Sequence, residues 1–160
     1  MNIFDYAMQL EKESQNYYLS LASKTGDGGL GTIFTMLAVE EARHYEVLKA
    51  MKTNTNVEFG NTALLSDAKA VFVKMADTER FNFSFEQLDV YKKAKEIESK
   101  SRKFYLEKAE EVEDSSQKAI FAKLAKEEEK HFFLLENIID FVSQPETWLE
   151  NAEWYHLEEY

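Results

Sequence analysis

The sequence predicts an all-α protein: a four-helix bundle with a long crossover between its second and third helices and a short C-terminal helix. Three observations carry this. Apolar residues recur at helical spacing over four long stretches. One Pro and five Gly in 160 residues leave those stretches unbroken. The segment from Glu11 to Leu48 also aligns without a gap on Glu98 to Leu135, at an offset of 87 residues, and 14 of the 38 pairs are identical. Such a match marks a duplicated helical hairpin. Two hairpins face to face make a bundle with approximate two-fold symmetry, and residues 1–160 are enough for a single domain with a real core.

The first helix is expected from about Asp5 to Lys24, with Ala7, Met8, Tyr18, Leu21 and Ala22 among its apolar residues. It stops at Gly26-Asp27-Gly28-Gly29, a cluster of helix breakers. The second runs from Leu30 to about Met51 on a stripe of Ile33, Phe34, Leu37, Ala38, Tyr45 and Leu48. Residues 52–83 form the crossover. Asn54, Asn56, Gly60 and Asn61 mark loop, and a short helix is expected over Ser66 to Met75 with Ser66 as its cap. A connection this long lets the helices it joins lie parallel. The next helix starts near Ser84, where Ser84 and Gln87 have the spacing of a capping box, and continues to about Glu111. Asp114 and Gln117 repeat that signal, and the last long helix runs to about Val142, before Ser143-Gln144-Pro145. The repeat halves are thus about 5–51 and 84–142. The tail, 143–160, carries Trp148, Leu149, Trp154, Tyr155, Leu157 and Tyr160. It is too apolar for a disordered tail, and we expect a docked helix that packs on its own bundle or on a second copy in a homodimer.

Acidic residues outnumber basic ones 30 to 19, for a net charge of −11. That argues against nucleic acid, whose binding needs a basic face, and against an anionic membrane surface. No apolar run approaches the roughly 20 residues of a membrane span. The absence of Cys excludes disulfides, iron–sulfur clusters and Cys-ligated zinc, and is compatible with a reducing cytoplasm. Met1 to Asp5 lacks the basic region and apolar run of a signal peptide, so a cytoplasmic location is expected.

The chemistry lies in two short stretches, Glu40-Glu41-Ala42-Arg43-His44 and Glu127-Glu128-Glu129-Lys130-His131. In each, a Glu precedes a His by three residues, which places both on one helix face, one turn apart. The offset then separates ligand candidates from surface acids. Glu11 matches Glu98, whereas Glu13 matches Lys100. Glu11 and Glu98 each stand seven residues, about two turns, before a matched Tyr, Tyr18 and Tyr105. A Glu in line with an apolar stripe is costly to bury unless paired or bound to metal. The candidate set is Glu11, Glu41, His44, Glu98, Glu128 and His131. One Glu from each of two helices and Glu-x-x-His from each of the other two is the inventory of di-iron and di-manganese carboxylate bundles. Four carboxylates can offset two divalent cations, and oxygen and imidazole donors suit iron or manganese. Glu40 and Glu127 also match and lie four residues before their His; we read them as flanking solvated acids. A third Glu-x-x-His, Glu153 to His156, has no matching Glu helix and is read as tail packing.

The spacing Glu-x6-Tyr followed by Glu-x-x-His, in two halves, resembles the ferritin-like superfamily, specifically the rubrerythrin-like di-iron domain. The resemblance covers Asp5 to Val142. It implies that Glu11, Glu41, His44, Glu98, Glu128 and His131 hold two iron ions, with manganese as the alternative, and that Tyr18 and Tyr105 line the site as hydrogen-bonding or redox-active neighbours. It implies reduction of hydrogen peroxide or dioxygen. Full-length rubrerythrins add a four-Cys rubredoxin domain. This chain has no Cys, so its electrons are expected from an external donor such as a rubredoxin-type protein. Rubrerythrins also carry a Glu three residues after the third-helix ligand, and that position is Ser101 here. The alternatives are a protein that binds and oxidises ferrous iron in iron handling, and a non-catalytic helical interaction module.

Overall fold

A computed structural model describes residues 2–25, 28–54, 59–78 and 85–143. Within them lie five helices and no strand: α1 Ile3–Thr25, α2 Gly29–Lys52, α3 Leu64–Thr78, α4 Phe85–Glu111 and α5 Ser115–Ser143. The all-α bundle with a long crossover is therefore the observed architecture. Residues 144–160, with the expected C-terminal helix and Glu153 and His156, lie outside the described residues, as does Ser84 of the expected capping box.

Local chemistry sets the helix ends. The Asn2 side chain accepts the Asp5 N–H at 2.9 Å, so α1 starts two residues earlier than apolar spacing indicates. Asp114 caps α5 by accepting the Gln117 N–H at 2.9 Å, as expected. The crossover helix differs from expectation. It begins at Leu64, not Ser66, because the Thr62 hydroxyl accepts the Leu64 N–H at 3.1 Å, while Ser66 Oγ donates to the Ala63 carbonyl. The start of α2 has no side-chain cap on Gly28. Gly29 serves packing instead: a Cβ there would fall on the Met75 side chain, so glycine lets α3 lie against the first turn of α2.

Helix α1 pairs with α2 and α4 with α5, the two hairpins of the repeat, and α3 packs on α2 and α5. The core is divided in two. One cluster gathers Tyr18 and Leu21 of α1, Ile33, Phe34 and Leu37 of α2, Phe72 and Met75 of α3, Tyr91 of α4, and Leu134, Ile138 and Phe141 of α5. The other gathers Ala7, Val47, Leu48, Met51, Tyr105, Phe121 and Leu124. The N-terminal parts of α2 and α4 share the first cluster, so these helices run parallel, as the crossover length predicts. Burying each large side chain contributes roughly 1.5–3 kcal/mol. Between the clusters every long helix changes character at the same level: Glu11 and Ser14, Glu41 and His44, Glu98 and Ser101, Glu128 and His131 are all buried. The fold is a polar layer held between two apolar ends.

Candidate metal centre

The six predicted residues meet in that layer, and none is more than 1 % exposed. One ligand atom from each of Glu11, Glu41, His44 and Glu128 lies within 4.8 Å of the others, and the same holds for Glu41, Glu98, Glu128 and His131. Glu41 and Glu128 belong to both groups. The offset of 87 relates the two groups closely. His44 Nδ1 lies 2.8 Å from Glu128 and 3.5 Å from Glu11, and His131 Nδ1 lies 2.7 Å from Glu41 and 3.5 Å from Glu98. The imidazoles stack face to face, centroids 5.5 Å apart and 7° from parallel.

Ser14 and Ser101, which also match at the offset, are both buried in the layer one turn from Glu11 and Glu98. The symmetry is completed by the tyrosines. Tyr18 of α1 donates its hydroxyl to Glu98 of α4, and Tyr105 of α4 donates to Glu11 of α1. Each tyrosine therefore serves the Glu of the other half, not the Glu seven residues before it on its own helix.

A box of four buried carboxylates cannot stay fully ionised without cations. Burial, then the neighbouring Glu residues, push Glu41 and Glu128 well above the usual carboxylate range. Burial would raise Glu98 too, but the His131 charge, the close approach of Glu128 and His131 and the Tyr18 hydrogen bond hold it down to about 2. Glu11 is lowered against burial by His44, Glu41 and Tyr105. Burial lowers His131, yet Glu98, Glu127 and Glu40 raise it overall. Tyr18 and Tyr105 are pushed well above 10, first by burial and then by carboxylates, so both remain donors.

Both oxygens of Glu41 and Glu128, one oxygen each of Glu11 and Glu98, and both nitrogens of His44 and His131 are buried without an aligned hydrogen bond. Oxygens and nitrogens that crowd to 2.7–2.8 Å without that alignment are aimed at a shared centre. The donor set fits a pair of divalent metal ions. Each ring also has one nitrogen turned away from the inner carboxylates and available to a supporting group.

The reading of Glu40 and Glu127 as solvated acids is overturned. Glu127 is 1 % exposed and Glu40 half-buried. Arg43 ties them together at 3.0 Å to Glu40 and 2.9 Å to Glu127. Thr62 donates to Glu40 at 2.6 Å. Arg43 also donates to the Gly60 carbonyl at 3.1 Å and packs its guanidinium over Phe59 at 4.7 Å, while Phe59 meets His44 edge-on at 5.7 Å. Local sequence pattern does not mark Arg43, Phe59 or Thr62 for this layer. The one signal for them in the sequence was the identity of Glu40 and Glu127 at the same offset, which a purely solvated pair does not require.

No helix among the described residues is long and apolar enough to cross a membrane. Comparison with curated proteins and with solved structures returns no match. A family model for Rubrerythrin matches residues 2–139. With that match over most of its length, and a buried two-fold Glu/His cluster in an all-α bundle, the chain belongs to the rubrerythrin family.

Proposed function

We propose that the protein is a di-iron or di-manganese carboxylate oxidoreductase that reduces hydrogen peroxide or dioxygen with electrons from an external donor. The observation that carries this reading is the pair of overlapping four-residue groups sharing Glu41 and Glu128. Glu11 and His44 would complete the ligands of one ion, Glu98 and His131 those of the other. A bound pair of redox-active ions supplies two electrons at one place, the number needed to convert hydrogen peroxide and two protons into two waters.

The chain's own residues supply the rest. Tyr18 and Tyr105 hold a proton against Glu98 and Glu11 and orient these two carboxylates. The apolar ends, led by Phe34 and Tyr91 on one side and Phe121 on the other, keep bulk water from the polar layer. No residue of the chain is a Cys, so electrons enter from outside these 160 residues, from a donor such as a rubredoxin-type protein. The reducing cytoplasm is the compartment that suits such a donor and a Cys-free chain.

Protein loaded with ferrous iron under argon should take up about two ions per chain. Peroxide should then produce a ferric absorption change, with peroxide loss sustained by a donor. Iron uptake at that ratio without either change would remove the oxidoreductase reading. The shared ligands give a further check. His44→Ala should lose about one ion and Glu41→Ala should weaken both, because Glu41 belongs to both groups. Variants that bind metal like the parent would sink the assignment of these residues.

A further inference from the structure

Outside the six inner residues lies a second group: one ligand atom each from Glu40, His44, Glu127 and His131, all within 4.8 Å of one another. It looks like a third cation site, but two features give it another role. The guanidinium of Arg43 already bridges both carboxylates. The imidazoles are also committed elsewhere, since Nδ1 of each faces the inner carboxylates. A neutral imidazole that binds metal through Nδ1 carries its proton on Nε2, and that N–H seeks an acceptor. Among the described residues, Nε2 of His44 and Nε2 of His131 are buried without one.

The outer pair has one oxygen to spare. Glu40 accepts from Thr62 on Oε1 and from Arg43 on Oε2. Glu127 accepts from Arg43 on Oε1, while its Oε2 is buried and without a partner. We propose that Glu127 is a positioning residue for the metal-binding imidazoles, accepting an Nε2–H through Oε2, and that Arg43 sets how much negative charge those rings feel. A carboxylate behind a ligating imidazole makes it a stronger donor, and a cation beside that carboxylate weakens the effect. The device breaks the two-fold symmetry of the site. At the offset of 87 Arg43 matches Lys130, and of these two cations among the described residues it is Arg43 that reaches across from α2 to α5, to Glu127.

The inference rests on the metal-binding reading of the inner cluster, and the test separates the two. Cobalt(II), which needs no redox chemistry and whose visible spectrum reports its ligands, is titrated against a competing chelator into the parent, E127Q and R43M. E127Q is expected to bind about tenfold to a hundredfold more weakly, with a shifted cobalt spectrum. R43M is expected to bind more tightly than the parent, because a positive charge beside the site is removed. A brace without electrostatic function would weaken binding in both variants, and that result overturns the proposal. So does E127Q equal to the parent. A third cobalt bound by the parent also overturns it, making the outer group a site in its own right. If E127Q does not fold, R43M decides by the sign of its change. A parent that binds no cobalt removes the inner-site reading itself.

Discussion

Glu41 and Glu128 sit where four carboxylates and two imidazoles share one buried layer, and their protonation links metal binding to stability. Both have folded pKa values well above the usual 4.5, and His131 lies above its usual 6.5. For these three groups the metal-free folded state binds more protons than the unfolded chain. Their contribution to stability is full below the ordinary values and is lost as pH rises through the raised ones. Glu11 and Glu98 have the opposite sign. Their contribution is present above 4.5 and lost as pH falls, for Glu98 towards about 2. Above the ordinary carboxylate value of 4.5 the first set governs, because the groups of the second set are by then ionised in both states. Chelator-treated protein should therefore melt at a lower temperature at pH 8.5 than at pH 5.5, as followed by circular dichroism. Metal added at the higher pH should displace protons into a weakly buffered solution. A melting temperature that rises with pH in the metal-free protein would contradict the arrangement of these groups.

The helices themselves show how far local pattern reaches. Among the described residues their order and cores follow from apolar spacing, and the ends of α2 and α5 fall within a residue or so of where breakers and caps place them. Asp114 was readable because an N-cap needs only its own next turn. Asp114→Ala should cost about 1 kcal/mol in urea unfolding and leave metal content unchanged, since the cap lies far along α5 from Glu128. The start of α3 was not readable in the same way. Thr62 and Ser66 are both competent caps by residue type. Thr62 is selected because its hydroxyl also reaches Glu40 on α2, a contact outside the crossover. Phe59, Gly60 and Thr62 thus bind the crossover to the level of the polar layer before α3 joins the apolar end.

At the scale of the molecule, a polar layer between two apolar clusters is a design whose weakest plane is the site itself. Ions that bind only the folded state add about 2.7 kcal/mol when present at a hundred times their Kd. Adding iron(II) or manganese(II) anaerobically should raise the melting temperature in step with occupancy, and chelation should reverse it. A metal that binds without changing the melting temperature would mean that it sits outside the layer. The five described helices, the duplication and the inward set of Glu11, Glu41, His44, Glu98, Glu128 and His131 are legible in the chain alone, because spacing along a helix dictates which residues share a face. It takes the packing of the four helices to bring Tyr18 to Glu98 and Tyr105 to Glu11, and to bury Glu127. Those outcomes depend on what another helix brings opposite. Arg43 meets Glu127 across 84 residues of chain, and nothing in the periodicity of α5 records a cation arriving from α2.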